Sequence, residues 1–176
     1  EQLLKIGVID PSQSPFSAPT VVVKKKTGGS RMCVDWRKLN MKTKTFKSSL
    51  PPLDIVISQI GGRELYSNLD LTKGYMALML KKEDRAKSAW LIPGVGLFQF
   101  RRLGFGLKNA PSYFCQALNI LFHDLNGTRI QSYLDDILIG SDTFDKIIKN
   151  LKEVFKRLRR GGLKASPTKC ALIQRK

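Results

Sequence analysis

The chain has 176 residues, with 31 Lys and Arg against 14 Asp and Glu, a formal net charge of +17 and 42% hydrophobic residues. That length buries a real core, and so large a positive excess, spread over the whole sequence, exceeds what solubility needs and points to a polyanionic partner. Three well-separated cysteines without C-x-x-C spacing exclude a disulfide scaffold, no apolar run reaches the roughly 20 residues of a membrane-spanning helix, and the basic stretches lack the aromatic face an anionic membrane surface would take, so no membrane partner is expected.

The sequence starts at Glu1 rather than Met and shows no signal-peptide pattern, which suits a piece of a longer intracellular polypeptide. SQSPFSAPT (12–20) predicts an extended lead-in, and VVVKKKTGGSRMCVDWR a basic hairpin turning at Gly28-Gly29. In SLPPLDIVISQIGG (49–62), Leu53, Val56, Ile57 and Ile60 recur at helical spacing after a proline stop and before Gly61-Gly62. LYSNLDL (65–71) alternates Leu65, Ser67, Leu69 and Leu71 with Tyr66, Asn68 and Asp70, the pattern of a strand. YMALMLKK after Gly74 reads as extended, and SAWLIPGVGLFQFRRL (88–103) as a hairpin turning at Pro93 to Gly96. Pro111 suits the first turn of a helix whose face is Phe114, Leu118, Leu121 and Phe122. A last helix over DTFDKIIKNLKEVFKRLRRGG carries Phe144, Ile147, Ile148, Leu151, Phe155 and Leu158 as one stripe and stops at Gly161-Gly162. Mixed strands and helices without repeats give an α+β class.

Between the last two helices, QSYLDDILIGS (131–141) sets Asp135 beside Asp136 at the tip of an otherwise apolar hairpin. A tight turn favours Asn-Gly or Asp-Gly, so this pair is not there for turn geometry. Adjacent ionised carboxylates repel, the more so between apolar flanks, and the arrangement wants a cation. Magnesium, which takes hard oxygen ligands from one or two carboxylates with phosphates and water, fits that need. Asp70, a charge on a strand otherwise built for a core, adds a second acidic site, and together they suit two-metal phosphoryl transfer. His123 is the sole histidine and no G-x-S-x-G occurs, which leaves little for a serine triad; adjacent acids on a turn cannot straddle a sugar as glycosidase carboxylates do.

YLDD (133–136) after LDLTKGY (69–75), with GFGLKNAP (104–111) between them, resembles the reverse transcriptases of retroviruses and gypsy-type LTR retrotransposons, and VKKKTGGSRMCVDWRKLN (23–40) and GGLKASPTKC (161–170) extend the likeness over nearly the whole chain. The resemblance implies a right-hand polymerase fold without its thumb: fingers over about 1–47 and 80–103, and a palm over about 48–79 and 104–176. It implies an RNA-directed DNA polymerase that transfers a nucleotide from a dNTP to a primer 3′-hydroxyl on an RNA or DNA template, using two Mg2+ ions, with Mn2+ as a substitute. Asp70, Asp135 and Asp136 then match the catalytic and metal-binding acids, with the Leu71 carbonyl as a further ligand. Lys25, Arg31, Lys73, Gly74, Tyr75, Phe105 and Gly106 match nucleotide-binding positions, Tyr75 as the aromatic gate against a 2′-hydroxyl, and the amides of 71–75 would cradle phosphates. Asp35, Arg37, Asn40, Tyr133 and Lys169 match template or primer contacts, with Trp36 beside them.

Further implied are cytoplasmic work, in virus-like particles or with access to the nucleus, and a parent polyprotein carrying thumb, ribonuclease H and integrase segments. The chain departs from the gypsy-type pattern at Gly104, where proline is usual, at Cys115, where glutamine is usual and Gln116 follows one place late, and at Met76-Ala77. Two other readings stay open: a decayed or domesticated nucleic-acid-binding module of the same fold, and a palm-type phosphotransferase acting on free nucleotides.

Overall fold

A computed structural model describes residues 2–24, 28–46 and 52–175, apart from the side chains of Arg31 and Leu53. In chain order the elements are α1 (Gln2–Lys5), β1 (Ile9–Pro11), β2 (Thr20–Lys24), β3 (Ser30–Val34), α2 (Arg37–Lys42), α3 (Leu53–Ile60), β4 (Leu65–Asp70), α4 (Lys82–Arg85), β5 (Trp90–Ile92), β6 (Gly96–Phe100), α5 (Ala110–Leu121), β7 (Ile130–Tyr133), β8 (Asp136–Ser141), α6 (Phe144–Arg160) and β9 (Ala171–Arg175). Short 3-10 turns occupy Gly74–Ala77 and Ala86–Ser88. All strand pairings are antiparallel, which with the helices makes an α+β fold. No helix among the described residues is long and apolar enough to cross a membrane. The chain divides into two compact units, residues 1–45 with 78–110 and residues 46–77 with 111–176.

In the first unit, β1-β6-β5 form one sheet and β2-β3 a separate hairpin. Trp90, 2% exposed, stacks on Phe100 at 4.6 Å between ring centroids, a buried aromatic pair on the sheet's own strands. The triple valine of β2 stays largely exposed, because its hairpin pairs with nothing beyond β3.

In the second unit, the sheet order is β7-β8-β4-β9. Leu65, Ser67 and Leu69 of β4 stand opposite Ser141, Ile139 and Ile137 of β8, and all six are buried, so the period-2 pattern of LYSNLDL resolves as expected. Helices α3 and α6 pack on this sheet. A side chain at Gly140 would strike Ile60 and Arg63 at 3.0 Å, so the missing Cβ is what lets the end of α3 approach β8.

Several local expectations shift. Of the stretch expected to be extended, residues 75–77 lie in a 3-10 turn and Lys82 opens α4, while residues 78–80 run beside 101–103, with Met79 bridging Arg102. The buried stripe of α6 is Ile147, Leu151, Val154 and Leu158, whereas Phe144 and Phe155 are 60% and 39% exposed. Repeats at 4, 3 and 4 follow the helix period closely enough that a narrow stripe suffices, and the two rings fall outside it.

Candidate active site

Strands β7 and β8 are joined by Leu134 and Asp135 alone, since Tyr133 and Asp136 are already paired. Leu134 takes φ +51°, a left-handed conformation that a branched side chain enters at a cost of about 1 kcal/mol or more. The strain of this turn therefore sits on the residue before the two acids. Directly across the β4–β8 ladder, Asp70 stands opposite Asp136, and like charges in that relation destabilise a sheet. The Leu71 amide donates to the Asp135 carbonyl at 2.9 Å, which locks the end of β4 to the turn.

The three acids thus come from β4, the turn and the start of β8, and Asp135 lies in the fields of both others. Burial pushes its carboxyl up; a hydrogen bond donated by the Tyr75 hydroxyl and the charge of Lys169 oppose that, while Asp136 and Asp70 add to it. One oxygen, Asp135 Oδ1, is buried without a hydrogen-bond donor among the described residues. Asp136 is exposed and receives a long hydrogen bond from Asn68 Nδ2 at 3.4 Å. Asp70 Oδ2 lies 3.3 Å from Lys169 Nζ. That lysine is delivered by a turn hung on the Asp70 backbone, whose carbonyl accepts from the Ser166 amide at 2.8 Å while Ser166 accepts from the Lys169 amide at 3.2 Å.

Beneath the turn, Gly74 is buried against Phe114: an added Cβ would stand 2.4 Å from the Phe114 ring. Tyr75 meets the same ring edge-on at 5.3 Å, and burial, then the Asp135 charge, push its hydroxyl up to about 12. Cys115, the next residue of α5, is buried against Leu134 and Asp135; burial pushes its thiol up, and a hydrogen bond with the Leu134 backbone opposes that. The structure therefore places Asp70, Leu71, Gly74, Tyr75, Tyr133, Asp135, Asp136 and Lys169 around one spot, with exposed Lys73 on the same loop at φ +51°. Two of the amides expected to cradle phosphates are already committed, Leu71 to the Asp135 carbonyl and Thr72 to the Lys164 carbonyl at 2.8 Å, and so are not open to a phosphate.

The first unit assembles another group. Trp36 Nε1 donates to the Phe105 carbonyl at 3.0 Å, Asn40 Nδ2 to the Gly106 carbonyl at 2.8 Å, and Asn40 Oδ1 accepts from the Lys108 amide at 2.9 Å. Gly106, at φ +85°, packs where a Cβ would lie 3.1 Å from the Trp36 ring. Asn40 and Trp36 thus shape the 105–108 loop, and the Asn40 amide expected to meet nucleic acid is spent on this clamp. Asp35 is paired with Arg37 at 2.6 Å and accepts its backbone amide, which holds the Asp35 carboxyl at about 2; the Arg37 side chain is 88% exposed. Lys25 and the side chain of Arg31 lie outside the described residues. Gly104 lies 3.2 Å, at the Cβ position, from the Phe100 ring, a close fit for the larger residue expected there.

Sequence reasoning passed over Asn68, although it lies on the polar face of β4 with Asp70, and treated Phe114 only as part of a helix face. The donor set at the tip, carboxylates and a carbonyl, is the chemistry of a hard divalent cation, and the orphaned Asp135 oxygen fits that use. Among the described residues, no three acid, thiol or imidazole groups already form a ready cage for an ion; Asp70 is instead engaged by Lys169.

Residues 23–176 match the family model "Reverse transcriptase (RNA-dependent DNA polymerase)". The chain is 34% identical, over 96% of its length, to the retrovirus-related Pol polyprotein from transposon gypsy of Drosophila melanogaster, and 31% identical, over 98%, to the transposon Tf2-3 polyprotein of Schizosaccharomyces pombe. It spans 17% and 13% of those two curated relatives. Among solved structures it is similar to the foamy viral protease-reverse transcriptase in complex with RNA/DNA hybrid, with a TM-score of 0.88 and 28% identity over 97% of this chain and 22% of that one. A foamy viral form in complex with double-stranded DNA gives a TM-score of 0.89 at 28% identity, covering 98% of this chain and 30% of that one. The chain belongs to the reverse transcriptase family.

Proposed function

We propose that this chain is the polymerase core of a retroelement Pol polyprotein, an RNA-directed DNA polymerase that joins a deoxynucleoside triphosphate to a primer 3′-hydroxyl on an RNA or DNA template. The observation that carries the reading is the pairing of Asp70 with Asp136 across β4–β8, with Asp135 at the turn beside them. The relatives are Pol polyproteins, and the similar structures hold RNA/DNA hybrid or double-stranded DNA.

The carboxylates of Asp70, Asp135 and Asp136 and the Leu71 carbonyl would hold divalent ions, Mg2+ by the resemblance. The chemistry such ions would supply there is a lowered pKa for the primer hydroxyl and positive charge against the triphosphate and the leaving pyrophosphate. The protein's own part is positional. The strained turn and the Leu71–Asp135 bond fix the acids before substrate arrives, which removes reorganisation from the reactive step. Lys169 holds Asp70 and sets an exposed ammonium beside the acids, where a substrate phosphate would meet it. Phe114 and Gly74 fix the Tyr75 ring, which by the resemblance blocks a 2′-hydroxyl. In the first unit, Lys25, Arg31, Phe105 and Gly106 are assigned to the nucleotide and Asp35 and Arg37 to the template on the resemblance alone.

The Asp70–Lys169 pair favours one rival, a binding module of the same fold without chemistry. Primer extension separates them, run on the chain alone and joined to the segment that follows it in its parent polyprotein. The polymerase reading expects template-directed incorporation that Asp135→Asn lowers by about 10²-fold or more, the scale of losing a charge-stabilising group from a transition state. Equal incorporation by parent and variant would sink it.

A further inference from the structure

We propose that the second unit carries another nucleic-acid contact, a basic track at the end of its sheet opposite the acidic turn, which takes the sugar–phosphate backbone of a single strand. Strand β8 runs from Asp136 at the turn to Ser141, five residue steps or roughly 17 Å away. At that far end lies a cleft of about 320 Å3 whose lining includes Arg63, Arg129, Lys146, Lys149 and Asp142. Its one carboxylate is already used, because Arg63 donates to Asp142 Oδ2 at 2.7 Å. Among the described residues, Arg129, Lys146 and Lys149 have no carboxylate at ion-pair distance. Like charges gathered this way repel one another, so the fold alone gives no reason for them.

The track also has length. A second cleft shares Arg129 and Lys149 with the first and continues to Lys152 and Lys156. Its acids are silenced as well, for Arg157 binds both Asp124 and Glu153. Lys146 and Lys156 are ten residues apart on α6, about 15 Å along its axis, with Lys149 and Lys156 opposite the buried stripe of Ile147, Leu151, Val154 and Leu158 and Lys146 on its flank. A free phosphate would fill one end of such a surface; a strand with a charge on every nucleotide meets its whole length. The contact is independent of the chemistry at the turn and reads no sequence, since lysine ammonium groups meet phosphate rather than base edges.

Lysine acetylation footprinting with a long oligodeoxythymidylate tests this without any variant. The oligonucleotide should slow modification of Lys146, Lys149, Lys152 and Lys156 severalfold, in the parent and in Asp135→Asn alike. In fluorescence titrations, R129Q/K146Q/K149Q should reduce the magnitude of the slope of log K against log salt by about two, as expected for three lost single-strand phosphate contacts. Unprotected lysines at saturating oligonucleotide, or an unchanged salt slope, would overturn the proposal. Stronger protection by polyglutamate than by the oligonucleotide would also overturn it, and would give the track to an acidic protein partner.

Discussion

Asp124 and Glu153 are held together by one guanidinium, whereas among the described residues the three carboxylates around the β7–β8 turn have a single ion pair, between Asp70 and the exposed Lys169. Arg157 donates to both oxygens of Asp124, to Glu153 at 2.9 Å and to the Leu121 carbonyl at 3.1 Å, and its side chain is only 16% exposed. Its hydrogen bonds hold both acids below the usual carboxylate range. At the turn the balance runs the other way: burial and two like charges push Asp135 up, one oxygen lacks a donor, and Lys169 is 68% exposed. A chain with 31 basic residues does not lack cations to place there. Acids that serve folding have their partner in the protein, and acids left short of one have the chemistry to take a cation from outside, as the proposed function requires.

Exchanging one acid from each cluster for its amide is the harshest test of that contrast. Asp135→Asn should cost primer extension about 10²-fold or more and leave thermal stability unchanged or higher, because it removes a half-buried, repelled charge. Asp124→Asn should do the reverse, lowering the melting temperature while leaving extension intact. If both variants lose both properties, the two clusters are not distinct in purpose.

Gly74→Ala comes next. With the new Cβ 2.4 Å from the Phe114 ring, overpacking should cost about 1–3 kcal/mol in denaturant unfolding. Phe114→Leu should recover part of that loss in the double variant, since the two sites touch and are not additive. No coupling between them would mean that Gly74 is required for something other than this contact.

How much of this could be read beforehand depended on whether a residue's partner was near in sequence. Alternation in LYSNLDL and the period of α6 placed β4 and its neighbouring helix, because burial of one face imposes those patterns directly. The six-residue α2 carries no such signal: it is held by Trp36 and Asn40 reaching a loop more than sixty residues on. Strand β9 was invisible for a similar reason, since among the described residues it pairs only with β4, and Ser67 of that strand receives its Ile173 amide at 2.9 Å. The acids themselves were legible as misfits in apolar surroundings. That Lys169 would sit on Asp70, or Arg157 on Asp124, followed from tertiary turns that no local pattern announces.

The strain at the turn offers a finer test. Leu134→Gly and Leu134→Ala both delete the side chain, but only alanine keeps the penalty of φ +51°. The glycine variant should therefore be the more stable by about 1 kcal/mol in equilibrium unfolding. It should also extend primers more slowly than the alanine variant, because a relaxed turn fixes Asp135 less firmly. Equal stability of the two would place the strain elsewhere.

The smallest effect concerns pH, and its sign comes from the other cluster. Arg157 lowers Asp124 and Glu153 in the folded state, so the unfolded chain binds protons more readily than the folded one as the solution is acidified. The stabilisation is complete above the ordinary carboxylate values, about pH 4, and is lost as pH falls through the depressed folded values. Arg157→Met removes the cause while keeping an apolar stem. Near neutral pH the variant should melt a few degrees below the parent, and the gap should close steadily below about pH 4 as the parent loses what the variant never had. A gap that stays constant with pH would mean that Arg157 acts through the packing of its stem and its bond to the Leu121 carbonyl, neither of which titrates in that range.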